Sequence, residues 1–256
     1  LKAYDYPFTV FVPGKHIREE PGLYASWDQL AEMAGNGAKI GNHSYTHQHF
    51  VRRKTGETKA QWLGRLRHDI ARNHKLLISK LGGENVIKSF AYPYGEYTNV
   101  LAEAISDMGY SGIGQHSGAL GPESDLAALP RYPMATAFAD MQSFTTKLRS
   151  RHLPATPVNE PERIINPGDS NPPELSVHIP EGAYGLDRLS CFASGQGRIT
   201  VKRQDNNRFT ITAYRKLTPG RAKYNCTAPA KTGDGIFYWY SYLWLVKKKN
   251  NSWWAE

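Results

Sequence analysis

Gly41-Asn42-His43-Ser44-Tyr45-Thr46-His47 follows the short segment Ala38-Lys39-Ile40. That segment reads as a strand, so the two histidines lie four residues apart in the loop at its end. Imidazole is the commonest metal-binding side chain near neutral pH. A site of two His and one carboxylate leaves a position open for water, the arrangement a hydrolase needs. His43 and His47 are therefore candidate ligands of a divalent metal, with Zn the first choice and Co, Ni or Fe compatible. The chain has nine histidines, so the spacing alone is a weak signal. His49, His68 and His74 read as surface or hydrogen-bonded histidines, and His49 or a carboxylate is left as a possible third ligand.

Outward from this block, strands and helices alternate. Phe8–Val12 is a β-branched and aromatic run ended by Pro13-Gly14. Ser26 caps a helix from Trp27 to Gly35, and Asn36-Gly37 ends it. A long helix from Thr58 to Leu81 carries Trp62, Leu66, Ile70, His74 and Leu77 at three- and four-residue steps. Val86–Tyr92 is a strand, Asn99–Met108 a helix, Ser111–Gln115 a strand, Leu129–Met134 a further strand and Asp140–Arg149 a helix. Such alternation predicts an α/β domain with a parallel sheet over residues 1–153. Residues 154–173 hold six prolines and read as a stiff linker. Beyond it the apolar period becomes two, as in Leu175-Ser176-Val177 and Phe209-Thr210-Ile211, which predicts a small all-β, sandwich-like domain over 174–256.

Phe90-Ala91-Tyr92-Pro93-Tyr94-Gly95 is a second block, at a strand end where Pro and Gly make a tight turn that exposes N–H groups. Together, the two blocks resemble those of the polysaccharide deacetylases, the family of chitin and peptidoglycan N-deacetylases, over roughly residues 7–150. The resemblance implies a distorted or incomplete (β/α) barrel and hydrolysis of N-acetyl groups on a polysaccharide. It implies that Tyr94 gives its backbone N–H to the oxyanion, with Tyr92 and Pro93 lining the groove. Three features depart from the family. No Asp-Asp pair, the family's base and third ligand, occurs in residues 1–256, and Asp5 lies too near the strand at Phe8 to serve. Ala91 stands where many members have Arg. The strand that ends in a catalytic His has no clear match, which leaves His116 as the candidate general acid, ahead of His152. Arg131, in what resembles the last barrel strand, is a candidate substrate contact or a surface Arg.

Net charge is +9, which suits anionic polymers, but Lys and Arg are scattered apart from Arg52-Arg53-Lys54 and Lys247-Lys248-Lys249. No nucleic-acid-binding pattern is present. No 18-residue apolar run exists, so no membrane span is expected. The chain does not start with Met, and no signal peptide is readable, so a processed form or fragment of an exported protein is expected. Cys191 and Cys226 are read as one disulfide in an oxidising compartment, with two buried thiols as the other reading. In Phe237–Trp244, Tyr238, Tyr240, Tyr242 and Trp244 share one face. One face of that strand is expected in the core, and the other packs against the first domain or stacks on sugar rings.

Overall fold

The computed structural model describes residues 2–19, 22–135 and 139–255. It divides into two compact units, one of residues 1–114 with 126–128, the other of 115–125 with 129–256. The division thus falls near residue 114 rather than 153, because the chain after β4 joins the second unit.

In the first unit, β1 (Thr9–Val12), β2 (Lys39–Asn42), β3 (Val86–Ala91) and β4 (Ser111–Ile113) form a four-stranded parallel sheet in sequential order. The crossovers are α2 (Trp27–Gly35), α3 (Lys59–Leu81) and α4 (Asn99–Asp107). Ser26 and Thr58 each close a capping box, and Thr98 caps α4. Each cap contributes about 1 kcal/mol. Gly82 ends α3 at φ 80°, a conformation open to glycine. One face of α3 buries Trp62, Leu66, Ile70 and Leu77, and α2 brings Leu30 and Ala34 to the same side as Val12 and Ile40. Two expectations need correction. A short helix α1 (Gly14–Glu19) follows β1, where Pro13-Gly14 was read only as a stop. Leu129–Met134 forms no strand; its Arg131 N–H donates to His116 O at 3.0 Å instead.

The second unit contains α5 (Met141–Arg149) and a nine-stranded, mainly antiparallel sheet: β5 (Arg151–His152), β6 (Thr156–Pro157), β7 (Ile164–Ile165), β8 (Glu174–His178), β9 (Ser190–Ala193), β10 (Gly197–Arg203), β11 (Arg208–Thr212), β12 (Gly220–Pro229) and β13 (Phe237–Val246). The first residues of β10 pair with β9 and the remainder with β11, so β10 turns the corner of the sheet. The expected linker is not loose. β6 pairs with β8, and β7 pairs with β13. A single core takes Leu175, Val177, Phe209 and Ile211 from one side of the corner and Cys191, Tyr224, Cys226 and Trp244 from the other. Cys191 and Cys226 form the disulfide, directly opposed across β9 and β12. On β13, Tyr238, Tyr242 and Trp244 face this core, with Tyr240 packed at its edge. On the other face Trp239 meets the Tyr132 ring edge-on at 5.3 Å. The aromatic strand is therefore largely committed to packing within its own unit.

Candidate active site at the end of β2

β2 ends at Asn42, whose side chain is fully buried and fully bonded. Its Nδ2 donates to Ile70 O at 2.9 Å, and its Oδ1 accepts from Ser44 N and Asn73 Nδ2, both at 2.9 Å. Gly41 lies against the Phe11 ring, where any side chain would clash. The Gly-Asn before His43 is thus a packing requirement. The loop then turns through two left-handed residues, Ser44 (φ 63°) and His47 (φ 53°). Each costs of order 1–3 kcal/mol and persists only when surrounding bonds over-determine it. Those bonds are present. Ser44 Oγ accepts from His47 N at 2.8 Å. Asp69 on α3 accepts from Tyr45 N at 2.6 Å and, through its other oxygen, from Thr46 Oγ1 at 2.6 Å. Asn73, one helical turn on, donates to Val12 O and accepts from Gly14 N, tying the end of β1 to the same helix.

The two histidines converge. His43 Nε2 and His47 Nε2 are 3.1 Å apart. His43 Nδ1 lies 2.8 Å from Ala91 O, at the end of β3. A carbonyl can only accept, so Nδ1 carries the proton and the lone pair of His43 is on Nε2, the tautomer that a metal ligand needs. Two nitrogens 3.1 Å apart, each about 2.0–2.1 Å from one ion, subtend roughly 100° at it, within the range of real metal sites. The pair therefore fits two positions of a metal. Among the described residues, no group of three or more His, Cys, Asp or Glu is set to hold one. His49 is not grouped with them; its Nδ1 is bonded to Glu96 Oε2 at 2.8 Å.

The Pro-Tyr-Gly turn stands beside the histidines. Tyr94 has φ 59°, ψ 4°. Its ring lies 4.6 Å from the His47 ring and stacks on His49 at 3.8 Å, the planes 7° from parallel. The Glu96 carboxylate that holds His49 is completely buried. Tyr92 and Pro93 are buried beneath the turn, and Tyr92 Oη donates to Ala127 O at 2.6 Å. His116 and Arg131 belong to the second unit. His116 is buried, and burial, reinforced by Arg163 and Lys223, pushes its pKa down to about 3. Burial also lowers that of Arg131. His152 is held by Ala119 O at 3.2 Å.

The sequence reading missed Asp69, Asn73 and Glu96. The first two leave a trace: polar residues four apart among the apolar positions of α3.

Residues 1–113 match the polysaccharide deacetylase family model. No curated protein matches the chain. Among solved structures, it is similar to the Streptococcus pyogenes deacetylase PplD in complex with acetate, at 20% identity, covering 51% of this chain and 54% of that one, with a TM-score of 0.45. It is also similar to BA0330, a Bacillus anthracis protein assigned as a polysaccharide deacetylase, at 16% identity, covering 49% and 37%, TM-score 0.39. CopC of Methylosinus trichosporium OB3b matches at 14% identity, covering 36% and 93%, TM-score 0.26. The chain spans about half the length of the first of these and little more than a third of the second.

Proposed function

We propose that this chain is a metal-dependent N-deacetylase of an envelope or extracellular polysaccharide, releasing acetate and a free amine. The observation that carries the reading is the convergence of His43 Nε2 and His47 Nε2, with the His43 tautomer set by Ala91 O, inside a segment that matches the family. His43 and His47 would hold the divalent ion, Zn by preference. When bound, it would supply Lewis acidity for the acetyl carbonyl and make water a better nucleophile at neutral pH. Tyr94 would direct its backbone N–H at the developing oxyanion, while its ring, fixed by His49, forms one wall of the groove. Tyr92 and Pro93 would shape that wall from beneath. Arg131 is proposed to contact substrate. His116, held neutral, is proposed to offer an N–H hydrogen bond to the leaving amine, while the proton that the amine takes up comes from the attacking water.

No Asp-Asp pair occurs in residues 1–256, so we expect weak hydrolysis from this chain. The same lack of an Asp-Asp pair in residues 1–256 favours a second reading, a saccharide-binding relative that does not turn over. Export is proposed from the disulfide; no described helix is long and apolar enough to cross a membrane. Acetate release from chitooligosaccharides, measured with and without Zn, separates the two readings. Slow, Zn-dependent release that disappears in His43→Ala supports the enzyme. Saturable saccharide binding without any release supports the second reading.

A further inference from the structure

The second unit holds a pocket of about 420 Å³, within the range of small-ligand sites. Three separate chain segments form it: residues 165–171 from the end of β7, 216–219 before β12, and 246–249 from the end of β13. Each is held by its own bonds. Lys247 N donates to Ile165 O at 3.0 Å. Asn171 bonds both backbone groups of Leu217, at 2.7 and 3.0 Å. Asn166 N and Nδ2 both donate to Asp169 Oδ2, at 2.7 and 3.1 Å. The cavity is thus preformed, which lowers the cost of ordering on binding.

Its chemistry is two-sided. Ile165, Leu217, Pro219 and Val246 give it apolar walls. Lys216, Lys247 and Lys249 are among its lining residues; Lys247 Nζ also donates to Asn251 Oδ1 at 3.2 Å. The only carboxylate in the lining, Asp169, is already engaged by Asn166. Apolar walls with amide and hydroxyl groups suit the C–H faces and hydroxyls of a sugar, and the lysines select a negative charge. We propose that this pocket is a binding site for an acidic sugar, a carboxylate-bearing saccharide unit. The assignment stands apart from the histidine site in the first unit and does not depend on deacetylation.

The test is calorimetric titration of the full chain with trigalacturonate, with chitotriose and inorganic phosphate as controls. Saturable trigalacturonate binding is expected, with amide shifts at Gly168 and Leu217. It should weaken at least about fivefold in Lys216→Gln/Lys247→Gln, which replaces surface charges and leaves the fold intact by circular dichroism. His43→Ala should leave it unchanged. No binding, binding indifferent to the lysine pair, or equal binding of phosphate or chitotriose would overturn the assignment.

Discussion

His43, the residue after β2, donates its Nδ1 proton to Ala91 O at the end of β3, 2.8 Å away. The bond crosses two neighbouring strands, so the backbone of one decides which nitrogen of the other's histidine is basic. At neutral pH, long-range 1H–15N spectra of the metal-free protein should show His43 as the Nδ1–H tautomer. A dominant Nε2–H signal would contradict this geometry.

Zinc titration of the chelator-stripped chain should show one weak site, weaker than a three-ligand protein site. Both His43→Ala and His47→Ala should abolish it, because each removes one of the two nitrogens that converge there. Tight binding that survives either substitution would place the metal elsewhere.

Asp69→Ala removes the acceptor for Tyr45 N and Thr46 Oγ1 in a buried setting. Denaturant unfolding should show a loss of roughly 2–4 kcal/mol, and Zn binding should weaken with it because the loop bearing His47 relaxes. Asp69→Asn, which keeps one acceptor oxygen, should lose less.

His49→Ala removes the ring that stacks on Tyr94. Hydrogen exchange at the Tyr94 and Gly95 amides should quicken while exchange in α3 stays unchanged. Glu96→Ala should act in the same direction, since the buried carboxylate fixes His49.

His116 and Glu57 are among the groups that shape the acid limb of stability. Burial, with Arg163 and Lys223 adding to it, holds His116 down at about 3 from an ordinary 6.5. The unfolded chain takes up this proton near pH 6.5 and the folded one does not, so the contribution is whole above pH 6.5 and is lost as pH falls toward about 3. Glu57 is lowered from 4.5 to about 2, first by the Arg65 hydrogen bonds. Its contribution is present above pH 4.5 and lost on the way to about 2. Unfolding midpoints measured from pH 7 to 3 should therefore decline less steeply for His116→Gln. Glu57→Gln should flatten only the lower part, and a slope unchanged in both would refute the assignment.

Much of the first unit was legible. The caps Ser26 and Thr58, the glycine stop at Gly82 and the α3 stripe obey local rules that act within a few residues. The His pair was legible for the same reason, since the β2 end sets both residues on one loop. Asp69 and Glu96 were not, because their roles come from partners 24 and 47 residues away. The proline-rich stretch misled for a related reason. Proline forbids a donor but not an acceptor, so short edge segments such as Thr156–Pro157 can still join a sheet. Strand Leu129–Met134 was expected from its apolar residues and a family likeness, yet that stretch is irregular chain whose Arg131 N–H donates to His116 O.

β13 has its partners on both sides: β12 directly before it in the chain, and β5 and β7, more than seventy residues earlier. During synthesis, β5 and β7 therefore emerge long before the strand that they need. Loop closure over such distances is slow, and unpaired strand edges invite association with other chains. The order of emergence makes this unit dependent on protection until β13 appears, and a chain interrupted before Phe237 would lack the strand that seals the sheet.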